Sequence, residues 1–201
     1  GRQLKSMSKS GTAISYAYNA DGLRTSRTNG TTTYKYQYLG GQLVKMTVGD
    51  NVMYFNYDAS GVPVSIVYNG TTYYYVTNLQ GDIVGIVNQS GNKIVSYTYD
   101  AWGNILTTTG SSANTLGKYN PLRYRGYVFD QETKLYYLQS RYYNPEIGRF
   151  LTADNPDYLG ADGTVTSYNL FAYCSNNPVM YSDPTGHMPE WLGDVLKGLA
   201  I

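Results

Sequence analysis

The chain has 201 residues, 15 basic and 14 acidic, and only 14% of its side chains are charged. That balance gives no electrostatic case for nucleic acid or an anionic membrane surface, and no apolar run approaches the roughly 18–20 residues of a membrane span. One cysteine, Cys174, excludes an internal disulfide framework and a Cys-based zinc site; one histidine, His187, excludes a His-cluster metal site and argues against a Ser-His-Asp triad, so no metal or cofactor is expected.

The 42% of hydrophobic residues can build a core, and 24 tyrosines with 22 glycines describe many strands joined by many tight turns. In chain order, Tyr16-Ala17-Tyr18-Asn19-Ala20-Asp21-Gly22 sets a pattern Tyr-x-Tyr-Asn-x-x-Gly. Phe55-Asn56-Tyr57-Asp58-Ala59-Ser60-Gly61 and Tyr97-Thr98-Tyr99-Asp100-Ala101-Trp102-Gly103 repeat it, and Tyr36–Gly41 and Tyr75–Gly81 are weaker copies. The closing glycines stand about 20 residues apart, a period typical of repeat folds. Second turns lie between them at Asn29-Gly30, Gly49-Asp50, Asn69-Gly70 and Ser90-Gly91. Each unit therefore reads strand, turn, strand, turn. Alternation such as Thr33-Tyr34-Lys35-Tyr36-Gln37-Tyr38 puts aromatic rings on one face and polar groups on the other.

The expected fold is all-β: a repetitive antiparallel hairpin ribbon over 1–106, a polar loop over 107–120 and a second strand-and-turn block over 121–187. That block is richer in Arg, Asp and Pro and leaves the repeat register. In 188–201, Trp191, Leu192, Val195, Leu196 and Leu199 form an apolar helical stripe, read as a short C-terminal helix that opens a variable region or linker. The chain starts at Gly1 without methionine and ends at Ile201 within that helix, so it reads as a segment of a longer protein.

These repeats precede Arg141-Tyr142-Tyr143-Asn144-Pro145, Gly148-Arg149-Phe150, Asp154, Asn176-Asn177-Pro178 and Asp183-Pro184-Thr185-Gly186. The ordered string resembles the RHS/YD-repeat proteins and their RHS-repeat-associated core domain. The resemblance implies a β-sheet shell, secreted or surface-delivered by a bacterium, that encloses a C-terminal toxin domain of the same polypeptide. It also implies self-cleavage of an aspartyl type. By motif, the residues implicated are Arg141 and Asp154, and the scissile bond joins His187 to Met188. Here His187 stands where the family usually has Leu.

Aspartyl peptide cleavage generally uses two carboxylates with separated pKa values, and Asp183 is the second candidate because it lies close to the cut. The alternatives are structural. Asp154 precedes Asn155-Pro156 and suits a turn cap, and Asp183-Pro184 suits a turn opening. Arg123, Arg125, Arg141 and Arg149 recur among tyrosines and read as buried ion pairs or an Arg/Tyr ladder. Cys174 reads as a small buried hydrophobe. Aromatic rows also suit stacking on sugar rings, which makes carbohydrate a second candidate partner and a cell-wall adhesion module the alternative function. Repetition of the rings along the whole ribbon favours a wall.

Overall fold

The computed structural model describes residues 3–160, 163 and 165–187. The predicted helix over 188–201, and Met188 with it, lies outside the described residues.

Eleven strands form one sheet in strictly sequential order. They are β1 (Ser6–Lys9), β2 (Thr12–Tyr18), β3 (Arg24–Asn29), β4 (Thr32–Leu39), β5 (Gln42–Val48), β6 (Asn51–Tyr57), β7 (Pro63–Tyr68), β8 (Thr71–Thr77), β9 (Ile83–Val87), β10 (Lys93–Tyr99) and β11 (Ile105–Thr109). Every neighbouring pair is antiparallel. The hairpin ribbon expected from the repeats is therefore what forms. The residues of β11, all β-branched except Leu106, carry the ribbon through Thr109, and one helical turn, α1 (Leu116–Tyr119), follows in the stretch expected to be loop.

The repeat motif has a local mechanism. In the Asp58–Gly61 loop the Asp58 carboxylate accepts the amides of Ser60 and Val62 at 2.8 and 3.0 Å, and Gly61 takes φ +83°. Asn78, Asn88 and Asp100 make the same pair of contacts in their own loops. An Asx acceptor followed by a left-handed glycine is the turn this spacing encodes. The opposite turns are tighter. Asn69 and Gly70 both have positive φ, as a type I′ hairpin requires, whereas Asn29 stays in its strand and the turn falls on Gly30-Thr31.

At the second tyrosine of each full motif the strand register slips by one residue, between Ala17 and Tyr18, Asn56 and Tyr57, and Thr98 and Tyr99. The hydroxyls there donate to backbone carbonyls of earlier strands or their flanks: Tyr18 to Leu4, Tyr57 to Leu43 and Tyr99 to Ile83, at 2.7–2.8 Å. The repeat thus carries its own cross-tie. Tyr57→Phe is expected to cost about 1 kcal/mol, read as a lower urea midpoint with an unchanged slope.

A second, four-stranded antiparallel sheet is built from β12 (Val128–Asp130), β13 (Leu135–Leu138), β14 (Arg141–Asn144) and β15 (Arg149–Phe150). It lies on the inner face of the ribbon. Val128, Leu135, Tyr137 and Tyr142 share a core with Tyr16, Tyr36, Phe55, Ile66 and Val95 of the ribbon. Phe129, Tyr136, Leu138, Tyr143 and Phe150 point the other way, into a second core with Tyr124, Tyr127 and Tyr173. Both faces are buried, which is why these strands read as near-continuous apolar runs rather than as alternation. The inner tyrosines of the ribbon are covered by this block, while Tyr54 and Tyr74 remain about 45% exposed on the outer face.

The joint between ribbon and block is charged. Arg24 and Asp130, both fully buried, form a two-pronged ion pair, and the Arg24 guanidinium lies 4.5 Å from the ring centres of both Tyr36 and Tyr137. Arg27 pairs with Glu132, which also accepts the Tyr34 hydroxyl at 2.8 Å. Arg123 stacks on Tyr97 and donates to its hydroxyl and to the Gly117 carbonyl.

Candidate active site

Arg141 opens β14, two residues before Tyr143, and the strand period turns both toward the second core. Its guanidinium stacks 3.6 Å from the centre of the Phe150 ring. Asp154 reaches it because Phe150 and Asp154 donate their amides to Phe171 and Leu170, fixing the chain after β15 alongside 170–171. Arg141 donates to the Leu170 carbonyl at 3.0 Å, so it ties both sides of that pairing.

Asp183 arrives from the far end of the sequence. Its amide donates to the Tyr127 hydroxyl at 2.8 Å, itself 3.2 Å from the Tyr173 hydroxyl. Its carboxylate accepts the amides of Gly186 at 2.8 Å and His187 at 3.1 Å. The turn predicted at Asp183-Pro184 is present, and it is the same turn that presents His187.

Three side chains named from the sequence therefore meet. One Arg141 nitrogen lies 2.7 Å from Asp154 and 3.5 Å from Asp183. The Arg141 Nε also donates to the Gly186 carbonyl. The His187 Nδ1 sits 3.8 Å from Asp154, with its side chain 46% exposed, while Arg141, Asp154 and Asp183 are buried. Asp183 and Asp154 thus flank His187, one on its backbone and one on its ring.

The electrostatics act on Asp183. Burial is the largest influence on Asp183, and the Asp154 charge adds to it; Arg141 and the two amides oppose it, and the balance leaves the group pushed up to about 7. A carboxyl that still holds its proton near neutral pH, beside a second one ion-paired to arginine, is the arrangement acid–base hydrolysis uses. Burial also pushes the Cys174 thiol up, consistent with an inert hydrophobe rather than a nucleophile. Among the described residues no group of His, Cys, Asp and Glu could hold a metal ion.

Sequence reasoning missed the groups that hold this trio in place. Tyr127 gave no signal beyond belonging to an aromatic run, and Phe150 entered only as the end of the Gly148-Arg149-Phe150 motif, with no role of its own. Arg24 and Arg27 could have been noticed, because β3 is the strand Arg-Thr-Ser-Arg-Thr-Asn and has no apolar side chain to bury.

The comparisons with known proteins bear on both halves of the chain. A family model described as the Teneurin YD-shell matches residues 49–179. The tRNA nuclease WapA of Bacillus subtilis is 43% identical over 182 residues, 88% of this chain and 8% of that protein. Double-stranded DNA deaminase toxin A of Burkholderia cenocepacia is 30% identical over 115 residues, 57% of this chain and 7% of that one. The Tc holotoxin pore of Photorhabdus luminescens matches with a TM-score of 0.70 at 25% identity, over 91% of this chain and 9% of that chain. A crystal structure of TcdB2-TccC3-Cdc42 matches with a TM-score of 0.69 at 23% identity, over 94% of this chain and 10% of that one. This chain therefore spans a tenth or less of the length of each of these proteins. The family match begins at the Gly49 turn and runs to Val179, so it takes in ribbon strands and the C-terminal block alike: the chain belongs to the Teneurin YD-shell family.

Proposed function

We propose that this chain is the closing end of a toxin shell that holds an effector domain on its C-terminal side and severs the polypeptide after His187. Family membership supports the shell, and relatives named as a tRNA nuclease and a DNA deaminase toxin support a toxic cargo. The ribbon is the wall and the block over 121–187 its end-piece. The whole would act outside the cell that makes it; among the described residues no helix is long and apolar enough to cross a membrane.

The observation that carries the cleavage reading is the convergence of three side chains on His187: Arg141 and Asp183 hold the Gly186-His187 backbone, and Asp154 pairs with Arg141 and lies 3.8 Å from the His187 ring. Asp154 takes a proton from a water, whose oxygen adds to the His187 carbonyl carbon. Asp183, protonated up to about pH 7, gives its proton to the departing nitrogen of Met188 as the carbon–nitrogen bond breaks. Arg141 holds Asp154 in place and polarises the neighbouring Gly186 carbonyl.

Intact-mass spectrometry of the 201-residue chain tests this. Two products are expected, together heavier than the chain by one water, with Asp154→Asn giving a single uncut mass. A wild-type chain that stays whole overturns the reading.

A further inference from the structure

We propose that Ser140 is a positioning residue for this cut, a role that rests on the cleavage reading above and that no motif resemblance supplies. Leu138 pairs with Arg141, so Gln139 and Ser140 form the two-residue turn between β13 and β14, with Gln139 at φ +59°. That turn faces the segment leading to His187. The Ser140 amide donates to the Thr185 carbonyl at 3.1 Å. Its Oγ lies 2.7 Å from both the Thr185 and the Gly186 carbonyl oxygens.

A hydroxyl has one proton to donate, so Ser140 serves one of these carbonyls at a time. The Gly186 carbonyl has a second donor in Arg141 Nε. Ser140 of the turn and Arg141, the strand residue that follows it, therefore hold the two consecutive carbonyls that precede His187. On the opposite edge Asp183 accepts the two amides that follow them, those of Gly186 and His187. The backbone is gripped from both sides up to the residue whose carbonyl is attacked.

The fit leaves no slack. Gly186 has φ +73°, and a Cβ there would stand 2.5 Å from the Leu138 carbonyl oxygen and 2.8 Å from Ser140 Oγ. Glycine is required both by its backbone angle and by the closeness of the β13–β14 turn. Hydrolysis needs the attacked carbonyl held to within a fraction of an ångström of the carboxylates, and misplacement by about 1 Å costs on the order of 100-fold. Ser140 supplies that placement without touching the reacting atoms.

A cell-free synthesis time course, following the 201-residue chain by intact mass, tests the role with wild type, Ser140→Ala and Ser140→Thr. Ser140→Ala is expected to slow the cut by about tenfold or more at a temperature where the chain is fully folded, with the thermal midpoint lowered by no more than a few degrees, as loss of one hydrogen bond does. Ser140→Thr keeps a hydroxyl and is expected to restore most of the rate. Ser140→Ala cutting at the wild-type rate overturns the role of Ser140 and leaves the cleavage reading standing. So does slowing that merely tracks a lowered thermal midpoint, since that marks a fold contact only. Wild type remaining whole overturns the cleavage reading, and this role with it.

Discussion

Replacing Arg24 with methionine is expected to cost about 3–5 kcal/mol, a large part of the roughly 5–15 kcal/mol that holds a domain of this size together. The reason is what it leaves behind. Asp130 is fully buried and takes both prongs of the Arg24 guanidinium, one at 2.9 Å. Without Arg24 the nearest cation is Arg27 at 3.5 Å, which is already committed to Glu132. A buried carboxylate without its main counter-charge must either ionise at high cost or take up a proton. Methionine also forfeits the stacking between Tyr36 and Tyr137. The contact spans the joint between ribbon and C-terminal block, so urea unfolding followed by tyrosine fluorescence should show both parts weakened together. Adding Asp130→Leu removes the stranded charge and is expected to recover most of the loss. A loss below about 1 kcal/mol for Arg24→Met would show that the joint is held by the apolar contacts of Val128, Leu135 and Tyr142 alone.

The second large effect is on chemistry. Asp154→Asn is expected to slow cleavage by about 10²–10⁴-fold, the range of a lost acid–base group, and Asp183→Asn by a similar factor. The pH dependence separates them. The Asp183 carboxyl is held up at about 7 in the folded chain, against an ordinary 3.8. As the proton donor it is active below that value, so the wild-type rate should fall as pH rises through about 7. The same shift has a thermodynamic sign. Between 3.8 and about 7 the folded chain holds a proton that the unfolded chain has released, so stability falls as pH rises across that window. The thermal midpoint of Asp154→Asn, cut too slowly to break during the scan, should still decline there over a window narrowed from its upper end, because the Asp154 charge is one of the causes that raise Asp183, and adding Asp183→Asn should flatten the decline. A midpoint independent of pH over that range would place Asp183 in the ordinary carboxylate range and remove the proton donor.

The ribbon was legible in the sequence because its signals are local. An Asx residue and a glycine three positions later specify a turn whatever surrounds them, and alternation fixes which ring faces inward. Asp58 and Gly61 behave as their spacing dictates. The candidate site was legible only as a set of names. Arg141, Asp154 and Asp183 are separated by up to 42 residues, and nothing in their spacing says that a Phe171 carbonyl and a Tyr127 hydroxyl will bring them to one point. Ser140 was invisible for a related reason. A serine in a turn is unremarkable until the carbonyls it serves are seen to lead to His187. The buried Arg24–Asp130 pair went unread because a charge in a strand looks solvated until a second sheet is laid on top of it.

The most direct test is the identity of the new chain end. Tandem mass spectrometry of the shorter product, formed at pH about 6 where Asp183 keeps its proton, should find a peptide that begins at Met188 and a longer partner that ends at His187. A break at any other bond, or a chain that stays whole from acid to alkaline pH, would show that the two carboxylates and Arg141 are only a buried clasp closing the end of the ribbon.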